Sequence, residues 1–346
     1  MDKIRVGVIG CGGIAKRSHI PNLVSQPDVE VVAICDVYNE VCEVVAEEHK
    51  IPHVFTDYND LLAMDEIDAV DICTPNFAHK DPAIAALQAG KHVLVEKPIA
   101  RNATEGQEMV DAARKSGKKF MVAQCCRWLP DSLALKRFID GGAMGEMYYA
   151  RIQAIRRRGI PSWGVFTDKE KQGGGPLIDI GVHILDTTLW LLGHPKPVAA
   201  SGATYTKFGN RPGIFGAWGP WDHTNFTVED FAAGFVRFEN GLTLSIESSF
   251  AANIEKDRMS LAIMGTEGGC QTDPLKLFRE EHGTLIDISP TSLPASNMYA
   301  AEIRGFIDSI KNDTEPPVTG EQALLVMKIL DGIYKSSELG REVKID

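Results

Sequence analysis

The sequence predicts a doubly wound α/β domain followed by an α+β domain built on a large, mainly antiparallel open sheet. Three observations predict it. Up to about residue 124, short and almost wholly apolar β-branched runs alternate with helix-compatible segments. Each of the first four runs is closed by glycine, proline or a carboxylate rather than by another strand. Beyond that point the alternation stops, and strand-like runs follow one another across short turns. Runs apolar on both faces and separated by helices make a parallel sheet covered on both sides, whereas runs joined by turns pair antiparallel. At 346 residues the chain exceeds one ordinary core, so two domains are expected, 1–124 and 125–346.

The first run, 4–9, ends in Gly10-Cys11-Gly12-Gly13-Ile14-Ala15 and leads into helix-compatible sequence. The second, 31–35, ends at Asp36; the third, 69–73, at Thr74-Pro75-Asn76; the fourth, 92–95, at Glu96-Lys97-Pro98. A fifth covers 119–123, and helices are expected over 81–89 and 103–115, stopped by Gly90 and Gly117. In a doubly wound sheet, ligands bind outside the carboxyl ends of the strands, so these closing residues are the candidate site. Gly10 permits a tight turn, Gly12 admits a pyrophosphate to the backbone, and Ala15 lets helix and strand pack closely. Gly13 and Ile14 complete the turn, whose following helix offers free N–H groups to phosphate. A G-x-G-x-x-A pattern alone is weak evidence, and a glycine-rich turn is its bland reading. Its place between strand and helix, with Asp36 after the next strand, makes it a dinucleotide site. A carboxylate there accepts hydrogen bonds from ribose hydroxyls and repels a 2′-phosphate, and no Arg or Lys follows in Val37-Tyr38-Asn39. NAD is therefore expected over NADP.

In the second half, 132–139 reads as a helix ending at Gly141-Gly142, and 147–155 as a strand. Further strands are expected at 198–206, 231–238, 242–251 and 259–264, and two closing helices at 300–311 and 321–336. The glycine- and aromatic-rich stretch 208–223 reads as a lid or a subunit contact. One helix interrupts the strands after Gly173-Gly174-Gly175-Pro176, and its spacing places Asp179, His183 and Asp186 on one face. Such a polar stripe is either an internally satisfied Asp–His pair or a general base oriented by a carboxylate. No third ligand for a metal is evident. Trp163 is available to stack on a sugar, with ordinary packing as its alternative. In Arg156-Arg157-Arg158 neighbouring guanidiniums point to opposite faces of a strand, which suits solvent or an interface better than an anion site.

A net charge of −11 argues against a general nucleic-acid partner. No apolar run approaches the roughly 20 residues of a membrane span, and the amino terminus lacks the apolar region of a signal peptide. A cytoplasmic protein is expected. The seven cysteines include no C-x-x-C pair and read as buried reduced thiols.

Taken together, Gly10-x-Gly12-x-x-Ala15, Cys73-Thr74-Pro75-Asn76 with His79, Glu96-Lys97-Pro98, and Gly173-Gly174-Gly175-Pro176 through Asp179, His183 and Asp186 make the chain resemble the Gfo/Idh/MocA family along essentially its whole length. The resemblance implies a Rossmann domain binding NAD(P) and an open-sheet domain that supplies the substrate site and pairs copies into a homodimer or homotetramer. It implies that Lys97 lies near the nicotinamide and the reacting oxygen with a cis bond to Pro98, and that His183 is catalytic with Asp179 as partner. His79 and Arg127 are placed near cofactor or substrate. The expected activity is oxidation of a secondary alcohol of a sugar, sugar derivative or cyclitol to a ketone. Substrate contacts are expected from Lys97, Arg127, Trp163, Asp179 and His183. Either Lys97 or His183 can serve as the base. The alternatives are a glycoside-cleaving enzyme working through a transient keto sugar, and a non-enzymatic NAD-binding sensor.

Overall fold

The computed structural model describes residues 3–346, which divide into two compact units. The first runs to Cys125 and takes back Asn297–Leu324; the second comprises Cys126–Ser296 and Leu325–Asp346.

In the first unit, β1 (Ile4–Ile9), β2 (Val29–Cys35), β3 (His53–Phe55), β4 (Ala69–Ile72), β5 (His92–Glu96) and β6 (Phe120–Ala123) form one sheet in the order β3-β2-β1-β4-β5-β6. Every pairing is parallel. Val6, Val8, Ile34, Val70, Ile72, Leu94 and Val122 are all fully buried, as strands covered on both faces require. The order reverses beside β1, and the crevice at that switch point is where the glycine turn emerges. The sequence reading left out β3, which is three residues long and incompletely buried. It also left out the helix Asn39–His49, whose buried face is only Cys42, Val45 and Ala46 among acidic neighbours.

The expected boundary that assigned all of 125–346 to one domain is corrected by Asn297–Leu324. The helix Met298–Lys311 buries Ile303, Phe306 and Ile307 in the first unit. Arg304 and Lys311 both reach Asp28, at 2.7 and 2.5 Å. Thr319 then bridges to Met121. A helix read from periodicity alone carries no sign of which core its apolar face joins.

The second unit is a nine-stranded sheet in the order β14-β13-β12-β11-β7-β10-β9-β8-β15. Its strands are β7 (Met147–Ile155), β8 (Pro197–Tyr205), β9 (Phe231–Phe238), β10 (Thr243–Ser249), β11 (Arg258–Gly265), β12 (Gly269–Gln271), β13 (Lys276–Glu281), β14 (Thr284–Ile288) and β15 (Val343–Lys344). The pairings are antiparallel except β7 with β10. Alternate residues Ala150, Ile152 and Ala154 of β7 and Leu244, Ile246 and Ser248 of β10 are buried, giving one apolar face against which the interrupting helix packs. No helix among the described residues is long and apolar enough to cross a membrane.

Candidate active-site residues

In the first unit the glycine turn is built around Gly10, at φ +95°. A Cβ there would lie 2.7 Å from the Cys73 carbonyl carbon, so only glycine lets the ends of β1 and β4 approach. A Cβ on Gly12 would meet nothing within 4 Å, leaving open space over its backbone. Gly13 lies against the Arg17 side chain, Ile14 is partly exposed, and Ala15 is fully buried. The expected helix begins as a wide turn with π-type bonds, Ala15–His19, and only then continues as α-helix, Ile20–Val24. Pro21 has no N–H to give the preceding turn, which favours this local rearrangement.

Asp36 stands at the end of β2. Its Oδ2 accepts the Cys11 N–H at 2.8 Å and its Oδ1 the Tyr38 N–H at 3.0 Å. The carboxylate is thus oriented by two backbone donors and retains lone pairs for a ribose. Open backbone at Gly12 beside an oriented Asp36 fits a dinucleotide, with pyrophosphate on the turn and adenosine ribose at the carboxylate.

Thr74 Oγ1 donates to the Ala78 carbonyl at 2.8 Å, closing a short turn over Asn76–Ala78. Pro75 is exposed and Asn76 buried. His79 is fully buried, with its ring nitrogens 2.8 Å from the carbonyls of Thr74 and Pro98. Burial lowers its pKa against those two bonds. The ring therefore ties together the loops after β4 and β5. Glu96 is 7% exposed and accepts the Lys97 N–H at 3.0 Å, while Lys97 is partly exposed. The Lys97–Pro98 bond is cis.

In the second unit the segment expected as one helix is a π-type turn, Leu177–Gly181, followed by the α-helix Val182–Leu191. Two side chains that sequence reasoning missed hold its start. Glu229 accepts the N–H groups of Gly175 and Leu177 at 2.9 and 3.2 Å and the Tyr334 hydroxyl at 2.8 Å. Ser248 donates to the Pro176 carbonyl at 2.7 Å. A Cβ on Gly175 would lie 2.2 Å from the Glu229 carbonyl oxygen, which explains the glycine run. Widened turns of this kind recur at functional sites. Asp179 and His183 are partly exposed, and Thr187 Oγ1 donates to the His183 carbonyl at 2.9 Å.

Asp186 leaves the stripe the spacing predicts. It is 1% exposed and takes Arg127 Nε and Nη2 at 2.7 Å each. Arg127, expected near cofactor and substrate, is itself 2% exposed and committed to this ion pair. Neighbouring His194 is pushed down to about 4 by burial and by the Arg127 charge.

The Arg156 guanidinium stacks over Trp218 at 4.4 Å, and burial lowers its pKa against the opposing charge of Asp179. Arg158 lies over Phe208 and bonds Asn253. These arginines thus organise the 208–223 stretch. Asp230 fastens the start of that stretch by accepting the N–H groups of Lys207, Phe208 and Gly209. Trp163 is 54% exposed, with its ring 5.5 Å from that of Trp218. Two exposed indoles beside guanidiniums suit the apolar face and hydroxyl edge of a sugar.

The oxidoreductase family with an NAD-binding Rossmann fold matches residues 4–124, and the Gfo/Idh/MocA C-terminal domain matches 132–271. The chain is 33% identical over 343 residues to D-glucoside 3-dehydrogenase of Escherichia coli, covering 99% of this chain and 97% of that protein. It is 29% identical over 298 residues to levoglucosan dehydrogenase of Pseudarthrobacter phenanthrenivorans, covering 77% and 73%. Its fold is similar to that of an oxidoreductase domain protein from Kribbella flavida, with a TM-score of 0.88 and 25% identity over 100% of both chains. The chain belongs to the Gfo/Idh/MocA family of oxidoreductases, with an NAD-binding Rossmann domain as its amino-terminal part.

Proposed function

We propose that this protein is an NAD-dependent dehydrogenase that oxidises a secondary hydroxyl of a glucoside-like sugar to a ketone. The observation that carries the proposal is the end-to-end likeness to a glucoside 3-dehydrogenase. Gly10, Gly12, Gly13, Ile14 and Asp36 hold the dinucleotide, with Asp36 favouring NAD; Thr74, Pro75, Asn76 and Glu96 line the strand ends, and His79 fixes their loops. Bound NAD supplies the hydride acceptor.

The chain's own residues manage the proton. Lys97 donates a hydrogen bond to the reacting hydroxyl and stabilises the charge that develops on its oxygen. A neutral His183 imidazole, oriented by Asp179, takes the proton. Trp163 stacks on the sugar, and Arg127 acts through Asp186 by fixing the helix that carries His183. Copies associate through the open sheet in a soluble, cytoplasmic enzyme.

The test is NADH formation by purified protein with NAD and a panel of alkyl glucosides, aldoses, cyclitols and sugar acids. The proposal expects turnover with glucosides, reduced by about 10²–10⁴ in Lys97→Ala and in His183→Ala. No NADH with any sugar, or both variants within about tenfold of the parent, contradicts it. Phenol release from an aryl glucoside without net NADH identifies cleavage through a transient ketone instead.

A further inference from the structure

His19, which the mechanism above does not use, lies between two carboxylates in the first unit. Its Nδ1 is 2.8 Å from Asp71 Oδ2 and its Nε2 is 2.8 Å from Glu96 Oε1. The exposures of His19, Asp71 and Glu96 are 0, 1 and 7%. Asp71 is on β4 and Glu96 ends β5, so the imidazole joins the carboxyl ends of adjacent strands. An ionised carboxylate only accepts, so with both carboxylates ionised the ring donates from both nitrogens, as an imidazolium does. Burial pulls its pKa down, yet the Asp71 charge prevails and holds it well above the usual histidine range. The second Glu96 oxygen accepts the Lys97 N–H at 3.0 Å.

The other groups facing the ring agree with a fixed cation. Cys73 lies 3.6 Å from Asp71 and is kept a thiol by burial. Glu302, from Met298–Lys311, is fully buried, and neither of its carboxyl oxygens has a hydrogen-bond partner. Desolvation pushes its pKa well up, which favours its neutral form. The Tyr299 ring is 6.3 Å away.

We propose that His19 is a positioning residue: a permanent imidazolium that keeps Glu96 ionised and in one orientation, so that Glu96 holds the Lys97 backbone and aims its ammonium at the reacting hydroxyl. The inference rests on the reading of Lys97 given above. Without the cation, Asp71 and Glu96 are two buried like charges, an arrangement that disfavours keeping both ionised.

The experiment compares His19→Gln, Lys97→Ala and the double variant in the full chain. His19→Gln is expected to bind NADH within about threefold of the parent while kcat falls about 10- to 100-fold, as for a misaimed group. A new acid limb should appear in its pH profile, where Glu96 becomes protonated. The double variant should be no slower than Lys97→Ala, because both substitutions disable one device. Multiplied losses overturn the positioning role and leave the Lys97 reading intact. A Lys97→Ala rate equal to the parent's overturns that reading and this inference with it. Should His19→Gln not fold, nitrogen NMR of the histidine-labelled parent decides: His19 doubly protonated from about pH 5 to 9 supports the proposal, and a neutral ring at any point in that range overturns it.

Discussion

Removing the charge at Asp36 should change which dinucleotide the protein accepts. Asp36→Asn is the informative substitution, because the amide oxygen still accepts one of the two backbone N–H groups that orient the native carboxylate, from Cys11 at 2.8 Å and Tyr38 at 3.0 Å. Hydrogen bonds to a charged acceptor contribute about 1.5–3 kcal/mol against about 0.5–1.5 for a neutral one, so the exchange weakens NADH by about tenfold. The same carboxylate opposes a 2′-phosphate. A like unit charge held about 4 Å away costs about 4 kcal/mol at an effective dielectric near 20, less as salt screens it. NADPH binding should therefore rise in Asp36→Asn, and rise further in Asp36→Ser with Val37→Arg, which adds a cation for the phosphate. Fluorescence titration of NADH and NADPH at low and high salt gives both constants. Equal affinity of the parent for the two, or a ratio that stays within about twofold in Asp36→Asn, refutes the reasoning.

Three other outcomes follow from the same geometry. Arg127→Met leaves Asp186 buried and unpaired and should destabilise the protein by about 3–5 kcal/mol in urea unfolding. Arg127→Met with Asp186→Leu should recover most of that loss, and additive losses would contradict a buried pair. His92 Nδ1 accepts the Lys119 N–H at 3.0 Å, and burial with Lys118 and Lys119 lowers its pKa to about 4. Because the folded form favours the neutral ring, its stabilisation is complete above the unfolded value of about 6.5 and is lost as pH falls through about 4. His92→Asn should flatten stability against pH in that window, and an unchanged slope would contradict the assignment. Asp28, held well below the carboxylate range by Arg304 and Lys311, stabilises the fold above its unfolded pKa of about 3.9 and loses that contribution as acid titrates it. Asp28→Asn should therefore destabilise more at pH 7 than near pH 2, where part of the contribution is already lost, as thermal unfolding at the two values would show.

What the sequence made legible was local. The parallel strands and their closing residues could be read because each lies within a few positions of the signal that defines it: Gly10 beside β1, Asp36 after β2, Glu96-Lys97 at the end of β5. The interrupting helix was announced by its glycines and by the spacing of Asp179 and His183. What stayed hidden was settled by partners far apart in the chain. His19 meets Asp71 and Glu96 across 52 and 77 positions, and Glu229 meets Gly175 across 54. Spacing placed Asp186 with Asp179 and His183, but Arg127, 59 positions earlier, turns it into the core. The return of Asn297–Leu324 to the first unit was hidden for the same reason, since Arg304 and Lys311 find Asp28 only after folding.

The central claim is direct hydride transfer from a sugar carbon, with Lys97 and His183 handling the hydroxyl proton. The most direct measurement is turnover of an alkyl glucoside deuterated at the carbinol carbon that becomes the ketone, followed by analysis of the reduced nucleotide. The account predicts that the deuterium is recovered in the nicotinamide ring and slows the chemical step. Deuterium released to solvent, or an undeuterated nucleotide, would contradict it.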